Sequence, residues 1–423
     1  MWSTGWSTGW ADLTHDGGVS GRRLTPLLAL ETSTFLSGVG NGIVAVAFPW
    51  LVLERTGSAT AAGVVAAATA LPLVLSSLIS GTVVDLVGRR RTAVVADLLS
   101  ALSAAAVPVI DARLGLEVPT IAVLAALGAV FDPAGFTARE AMLPESTQVA
   151  GLRLDRVNTV HTAVFGVAYL VAPGLGGVLI ALVGATGTLY ATTVAFVLAA
   201  VLALGVRVPA AGRVEHDGIR PTFWAATGEG LRFVLHTPVI RALTAVSAVA
   251  VLAWLPIEGV ILPAYFVEQG SPGRLGALLA VLSAGVVAGS LGYGAVAPRV
   301  SRHRVFVVSL VLLAITVGGM SALPDFPVLL VLGLAAGASY GAVDPITNVT
   351  AQEVTPGRLR GRVVGVMTST AYAAGPVGLL AVGPLIDSAG IGTAFVVMAC
   401  MLGLLAVGAV LSPSLRLLDA GSG

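Results

Sequence analysis

The chain has 423 residues, of which 56% are hydrophobic and only 11% charged, whereas about a quarter of the positions in soluble domains carry charge. That composition excludes a water-soluble globular protein and points to an integral membrane protein held together by packing in lipid. Its 23 basic and 22 acidic residues nearly cancel to a formal net charge of +1, so nucleic acid is excluded as a partner bound through a long-range field.

Every basic residue is arginine, and lysine is absent. Chemistries that need an ε-amine, such as a phosphate-binding lysine loop or a Schiff base to a cofactor, are therefore impossible. The single cysteine, Cys400, cannot form an intrachain disulfide or a thiolate metal cage. No cofactor or metal is expected. No nucleophile and base pair or metal-ligand cluster stands at usable spacing either, so an enzyme is not expected.

In chain order, residues 1–25 form a polar tail carrying Trp2, Trp6 and Trp10 at four-residue spacing, read as an interfacial anchor or a disordered segment. Within it Gly5-Trp6-Ser7-Thr8-Gly9 spells a hydrolase pattern, but no strand precedes it and it belongs to a tandem repeat. A helix needs roughly 20 apolar residues to cross the hydrocarbon core. Runs of that kind occupy residues 26–53, 59–83, 92–110, 118–138, 157–182 and 186–206. A polar segment, 207–237, holds His216, Asp217, Gly218 and Arg220 and reads as a cytoplasmic linker; Phe223, Trp224, Leu231, Phe233, Val234 and Leu235 would make a short interfacial helix or an ordinary pre-helical stretch. Six further runs follow at 238–266, 275–297, 304–323, 327–351, 362–386 and 390–412, and residues 413–423 form a short tail. Twelve spans put both termini on one side, and with the termini cytoplasmic all but three of the 23 basic residues stay inside, the exceptions being Arg55, Arg113 and Arg274.

The two halves repeat. A shift of 212 residues places Thr25-Pro26 on Thr237-Pro238, Asp132-Pro133 on Asp344-Pro345 and Pro144 on Pro356, and a shift of 213 places Arg89 to Arg91 on Arg302, His303 and Arg304. The predicted fold is an all-α membrane protein of twelve transmembrane helices in two pseudo-symmetric six-helix bundles, 26–206 and 238–412.

Between the second and third spans, Gly81, Asp85, Gly88, Arg89, Arg90 and Arg91 follow the pattern Gly-x-x-x-Asp-x-x-Gly-Arg-Arg. This resembles the signature loop of the major facilitator superfamily. Phe48-Pro49-Trp50, Phe131-Asp132-Pro133-Ala134, Met142-Leu143-Pro144-Glu145 and Arg360-Gly361-Arg362-Val363 look like the efflux branch of that superfamily, similar to macrolide and siderophore exporters. Ala172-Pro173-Gly174-Leu175-Gly176-Gly177 is similar to the Gly-Pro-x-x-Gly-Gly signature of proton antiporters, with Ala172 in place of the first glycine; on plain physical grounds its small residues permit tight helix packing. The resemblance implies a conformational latch in which Asp85 pairs with Arg360 or Arg362, a degenerate second copy of that loop at Pro298 and Ser301, and a central cavity lined by spans one, four, seven and ten.

Ionisable groups in lipid are costly, about 2.5 to 3.5 kcal/mol each near the centre, so they are the functional candidates. Glu31 and Asp132 are read as proton-coupling carboxylates, and by the resemblance Glu31, Asp132, Glu258 and Asp344 face the cavity. Asp132 and Asp344 each precede a proline and would equally serve backbone groups freed at a helix break. Asp97 is expected as a structural partner near the basic loop and His161 as an interfacial residue. No arginine is expected in the middle of a span. Asn41, Phe48, Tyr340 and Asn348 are substrate-contact candidates; Trp50, Trp254 and Tyr265 fit a pocket wall or, preferably, an aromatic belt at the headgroups. Asn348-Val349-Thr350 is a glycosylation pattern inside a span, where no glycan attaches.

The resulting reading is an exporter of hydrophobic or amphipathic small molecules, acting as a proton antiporter and a monomer in a bacterial inner membrane. Its partners are substrate, protons and lipid. An importer of a small nutrient on the same fold, or a membrane sensor that does not transport, are the alternatives.

Overall fold

A computed structural model describes residues 24–115, 117–206, 223–297 and 299–419. The tryptophan repeat and the linker residues His216, Asp217, Gly218 and Arg220 lie outside the described residues, as does Pro298 of the second basic loop. The described chain is almost wholly helical. The N-terminal bundle comprises α1 (Thr25–Thr56), α2 (Ala59–Val87), α3 (Arg89–Leu114), α4 (Val118–Ala150), α5 (154–183) and α6 (185–205). A linker helix α7 (Phe223–His236) precedes the second bundle of α8 (Pro238–Glu268), α9 (Pro272–Val296), α10 (Arg302–Ser321), α11 (Phe326–Val354), α12 (Arg360–Ala389) and α13 (Ile391–Leu411).

Ten helices are long and apolar enough by length and composition to cross a membrane, one of them a 50-residue segment ending at Gly205. Gly184 divides that segment into α5 and α6: its φ of 75° and ψ of 169° is a conformation only glycine adopts without strain. Ala59–Val87 supplies the remaining crossing, with an apolar stretch over Ala59–Val74. Twelve spans therefore stand, as the sequence implies. Their outward faces are apolar, with Leu182, Leu291, Leu404 and Val331 exposed, as lipid rather than water demands.

The repeat has a structural counterpart. Thr25 and Thr237 stand at the starts of α1 and α8, each with proline in the first turn. α4 breaks after Ala129 and resumes at Asp132, and α11 breaks after Gly341 and resumes at Val343, beside Asp344. The pairing repeats as well: α3 packs on α6 as α10 packs on α13, and α2 on α4 as α9 on α11. Across the bundles α2 meets α12 and α5 meets α9, the two contacts that a pseudo-twofold axis interchanges. One boundary differs from expectation. The fourth span runs to Ala150 rather than 138, because the break at 130–131 resets the helix and a second segment carries it on.

At the arginine-poor end one apolar core is shared by both bundles, joining Phe48, Trp50 and Leu51 to Ile257, Val260, Phe266 and Leu379. At the arginine-rich end the cores are separate. Leu27, Leu30, Val84 and Met142 belong to the first bundle alone, and Ile240, Phe306, Ile346 and Val363 to the second. The bundles are thus fused at one end and parted at the other.

Candidate functional site

Between the bundles lies a cavity of about 1010 Å³ walled by α1 to α6, α8, α9 and α12. Asn41, Phe48, Asp132 and Glu258 line it, as expected, together with Asp97, Arg139, Glu140 and His161. Its aromatic wall is Phe136 edge-on to Phe165 at 4.3 Å, then Tyr169 at 4.7 Å from Phe165, faced by Tyr372 of α12. Tyr169 and Tyr372 are more than half exposed. Glu258 sits on a π-helical turn, Ile257–Ile261, beside the Trp254 indole. Prolines 256 and 263 flank that turn, and a locally widened helix of this kind re-aims side chains.

Three substrate-contact candidates fall elsewhere. Tyr340 is stacked face to face on Trp254 at 4.7 Å, which fills the gap between α8 and α11 and leaves Glu258 and Gly259 of α8 as the wall. Asp344 and Asn348 are exposed on the second segment of α11 but are not in the cavity wall. Tyr340 nonetheless lies within electrostatic reach of Glu258 and Tyr372, which line the cavity. Trp50 and Trp254 are 4% and 5% exposed, so they are packed inside protein and form no belt.

The polar groups make two buried clusters within the first bundle. Arg139, only 3% exposed, forms an ion pair with Asp97 and contacts Ser33 Oγ at 3.3 Å. Ser37 donates to Asp97 at 2.8 Å, and Ser33 donates to the Ala199 carbonyl at 2.9 Å. One network thereby ties α1, α3, α4 and α6. Contrary to expectation an arginine does sit inside a span, because the longer α4 carries Arg139 eleven residues before its end. Asp97 is a structural partner, as read, but deep in the bundle. Asp132 Oδ1 is 3.0 Å from Ser100 Oγ, which also lies 3.0 Å from the Gly128 carbonyl at the α4 break. The second cluster joins Glu31 to His161: Nδ1 is 3.1 and 3.2 Å from the two carboxylate oxygens. His161 is 5% exposed and so is not interfacial. Glu31 lies behind the wall, and His161 is the member that reaches the cavity.

The loop between α2 and α3 turns at Gly88, whose φ is +93°. Arg89 pairs with Glu145 and donates to the Ala141 carbonyl at 2.8 Å, anchoring the loop to α4. Arg90, Arg91 and Asp85 are exposed at the surface. The Asp85 to Arg362 pair is not formed, since Arg362 is held by Glu229 of α7. Gly81 lies in the last turns of α2. At the other end, Gly174, Gly176 and Gly177 make the α5 contacts, and Pro173 lines the cavity. A methyl group on Gly177 would fall 2.5 Å from Gly276 Cα, one on Gly174 3.1 Å from Ala280 Cβ, and one on Gly176 3.5 Å from Ile43 Cα. Across α2 and α12, Asp387 accepts from Ser58 Oγ at 3.0 Å and from the backbone N–H groups of Ala59 and Thr60 at 2.8 and 2.9 Å. A carboxylate from one bundle thus caps a helix of the other, where orphan N–H groups and the helix dipole favour it. Sequence reading missed Asp387, Arg139 and the tyrosines 169 and 372. Only the short spacing of Asp387 from a span's end hinted at a cap.

Twelve helices in two repeated bundles around a shared cavity are the architecture of secondary transporters. The chain matches the model of the MFS transmembrane secretion effector family over residues 25–422 and belongs to that family. It is 45% identical over 401 residues to the multidrug efflux pump Tap of Mycolicibacterium fortuitum, covering 94% of this chain and 98% of that protein. It is 41% identical over 397 residues to Tap of Mycobacterium tuberculosis, covering 93% and 95%. Among solved structures it resembles the nucleoside transporter NupG with a TM-score of 0.72 at 12% identity, covering 92% and 98%. A D-xylose–proton symporter superposes with a TM-score of 0.71 at 12% identity, covering 92% and 97%. These two share the fold.

Proposed function

We propose that the protein exports hydrophobic or amphipathic small molecules from the cytoplasm in exchange for protons. The observation that carries this reading is full-length identity of 45% to a multidrug efflux pump. The cavity supports it, because aromatic faces with a few polar fixing points suit large apolar molecules. Arg139 is neutralised by Asp97, so among the described residues the wall offers no free cation for an organic anion. The arginine-rich end faces the cytoplasm of a bacterial inner membrane, both termini included, and the protein works as a monomer.

In that orientation the cavity opens inward. Export requires the Ser58, Ala59 and Thr60 contacts with Asp387 and the glycine contact of α5 with α9 to part while the cytoplasmic end closes. Asp85 then reaches Arg362 once Glu229 has released it. Proton binding at Glu31 and Asp132 biases that exchange. Everted vesicles with an imposed proton gradient test the reading. Wild type should accumulate ethidium when the gradient is applied and lose it on uncoupling, and Glu31→Gln should cut the gradient-driven rate at least tenfold. Accumulation indifferent to the gradient would remove proton exchange, and gradient-driven loss of ethidium from the lumen would favour import.

A further inference from the structure

His161 lines the cavity, and its Nε2 is buried without a hydrogen-bond partner among the protein groups, although a buried polar atom left unpaired costs about 1 to 3 kcal/mol. The other ring nitrogen lies between both oxygens of Glu31. A carboxylate that accepts at both oxygens takes its hydrogen from Nδ1, and Nε2 is then the ring nitrogen left to gain or lose a proton. The arrangement is fixed by backbone packing. A methyl group on Gly38 would stand 3.0 Å from Ala168 Cβ, and one on Gly42 2.4 Å from Ala172 Cβ. Glu31 and His161 lie seven residues, two turns, before Gly38 and Ala168 on the same α1–α5 seam. The pair therefore travels with the first bundle when the bundles rock.

Around it, α4 presents Arg139, already paired with Asp97 of α3, and the exposed Glu140. α6 carries no charged residue, and on α1 the next charged residues, Glu54 and Arg55, are at the far end of the helix. With a neutral ring the pair holds one net negative charge, and with an imidazolium it holds none.

We propose that His161, oriented by Glu31, is a proton-carrying group of the transport cycle. When cavity water reaches it, Nε2 takes a proton from a hydronium ion, the N–H bond forming as the hydronium O–H bond breaks, and it gives the proton back to water by the reverse exchange once the cavity faces the other side. Glu31 is the positioning residue that fixes the tautomer and offsets the imidazolium charge. A buried net charge is disfavoured where water is withdrawn, so protonation favours closure of the cavity around the pair. The inference rests on proton exchange as read above and names His161 as the carrier at the Glu31 site, with Asp132 as the competing site.

The test needs no transported ligand. In a Cys400→Ser background, spin labels at Leu86→Cys and Val354→Cys report the separation of the bundles at the arginine-rich end in purified full-length protein. The distance distribution should change between pH 5.5 and 8. In His161→Asn, whose amide still donates to Glu31, the change should be lost; His161→Gln serves in its place if His161→Asn is not monodisperse. Glu31→Gln should displace the midpoint without abolishing the response, and Asp132→Asn is measured beside it as the competing site. A pH response in the histidine variants equal to wild type, or none in wild type, overturns the proposal, and loss confined to Asp132→Asn assigns the proton there. Failure of wild type to move ethidium in vesicles would remove the export reading instead, and leaves the pH response readable.

Discussion

Arg139 and Asp97 are nearly unexposed, and removing one partner of such a pair strands a charge in a medium of low dielectric. Arg139→Leu is expected to destabilise the protein by about 3 to 5 kcal/mol. The double variant Arg139→Leu with Asp97→Leu should recover much of that, read as the thermal unfolding midpoint in detergent. A double variant no more stable than the single one would show that the pair is not what holds these helices. Asp419, beyond the last span, is governed by opposing effects. Burial raises its carboxyl, but hydrogen bonds from Ser301 Oγ and the backbone N–H groups of His303 and Arg302 prevail and hold it below the usual carboxylate range. A lowered value stabilises the docked form above about pH 4 and loses that contribution as pH falls through the native value. A spin label at Ser414→Cys, in the Cys400→Ser background, should gain mobility from pH 6 to pH 3, whereas Asp419→Asn should be mobile throughout.

Among the elements, α5 and α9 touch through glycine backbones, with Gly276 Cβ space filled by Gly177 Cα at 2.8 Å and the Gly174 carbonyl at 2.9 Å. Gly276→Val therefore forces the helices apart at the arginine-poor end while leaving each helix intact. Cysteine pairs placed there should cross-link several-fold more slowly than in the parent, and an unchanged rate would mean that the contact has slack. The Pro-Gly-x-Gly-Gly pattern was legible as small residues for tight packing. That its partner is α9 of the other bundle was not, because a small-residue stripe does not say which helix fills it.

For the whole molecule, opening at the arginine-poor end competes with the Asp387 cap and the shared core. Asp387→Ala removes three acceptor contacts that join the bundles at that end. It should raise the outward-open population several-fold, seen as faster labelling of cysteines in the outer half of the cavity, with folding intact. A population equal to wild type would show that the core alone sets closure.

Sequence alone determined the membrane environment, the twelve crossings and the duplication, because each follows from local composition and spacing read along one helix at a time, whereas Arg139, expected outside the spans, lies buried inside α4. Tertiary structure decided which carboxylate meets which base: Asp97 with Arg139, Glu31 with His161, Asp387 with the start of α2. It also stacked Tyr340 on Trp254 and left Asp85 apart from Arg362. In an apolar helix bundle every face looks alike in sequence, so rotation about the helix axis and the closure of one end are set only by which neighbours pack against it.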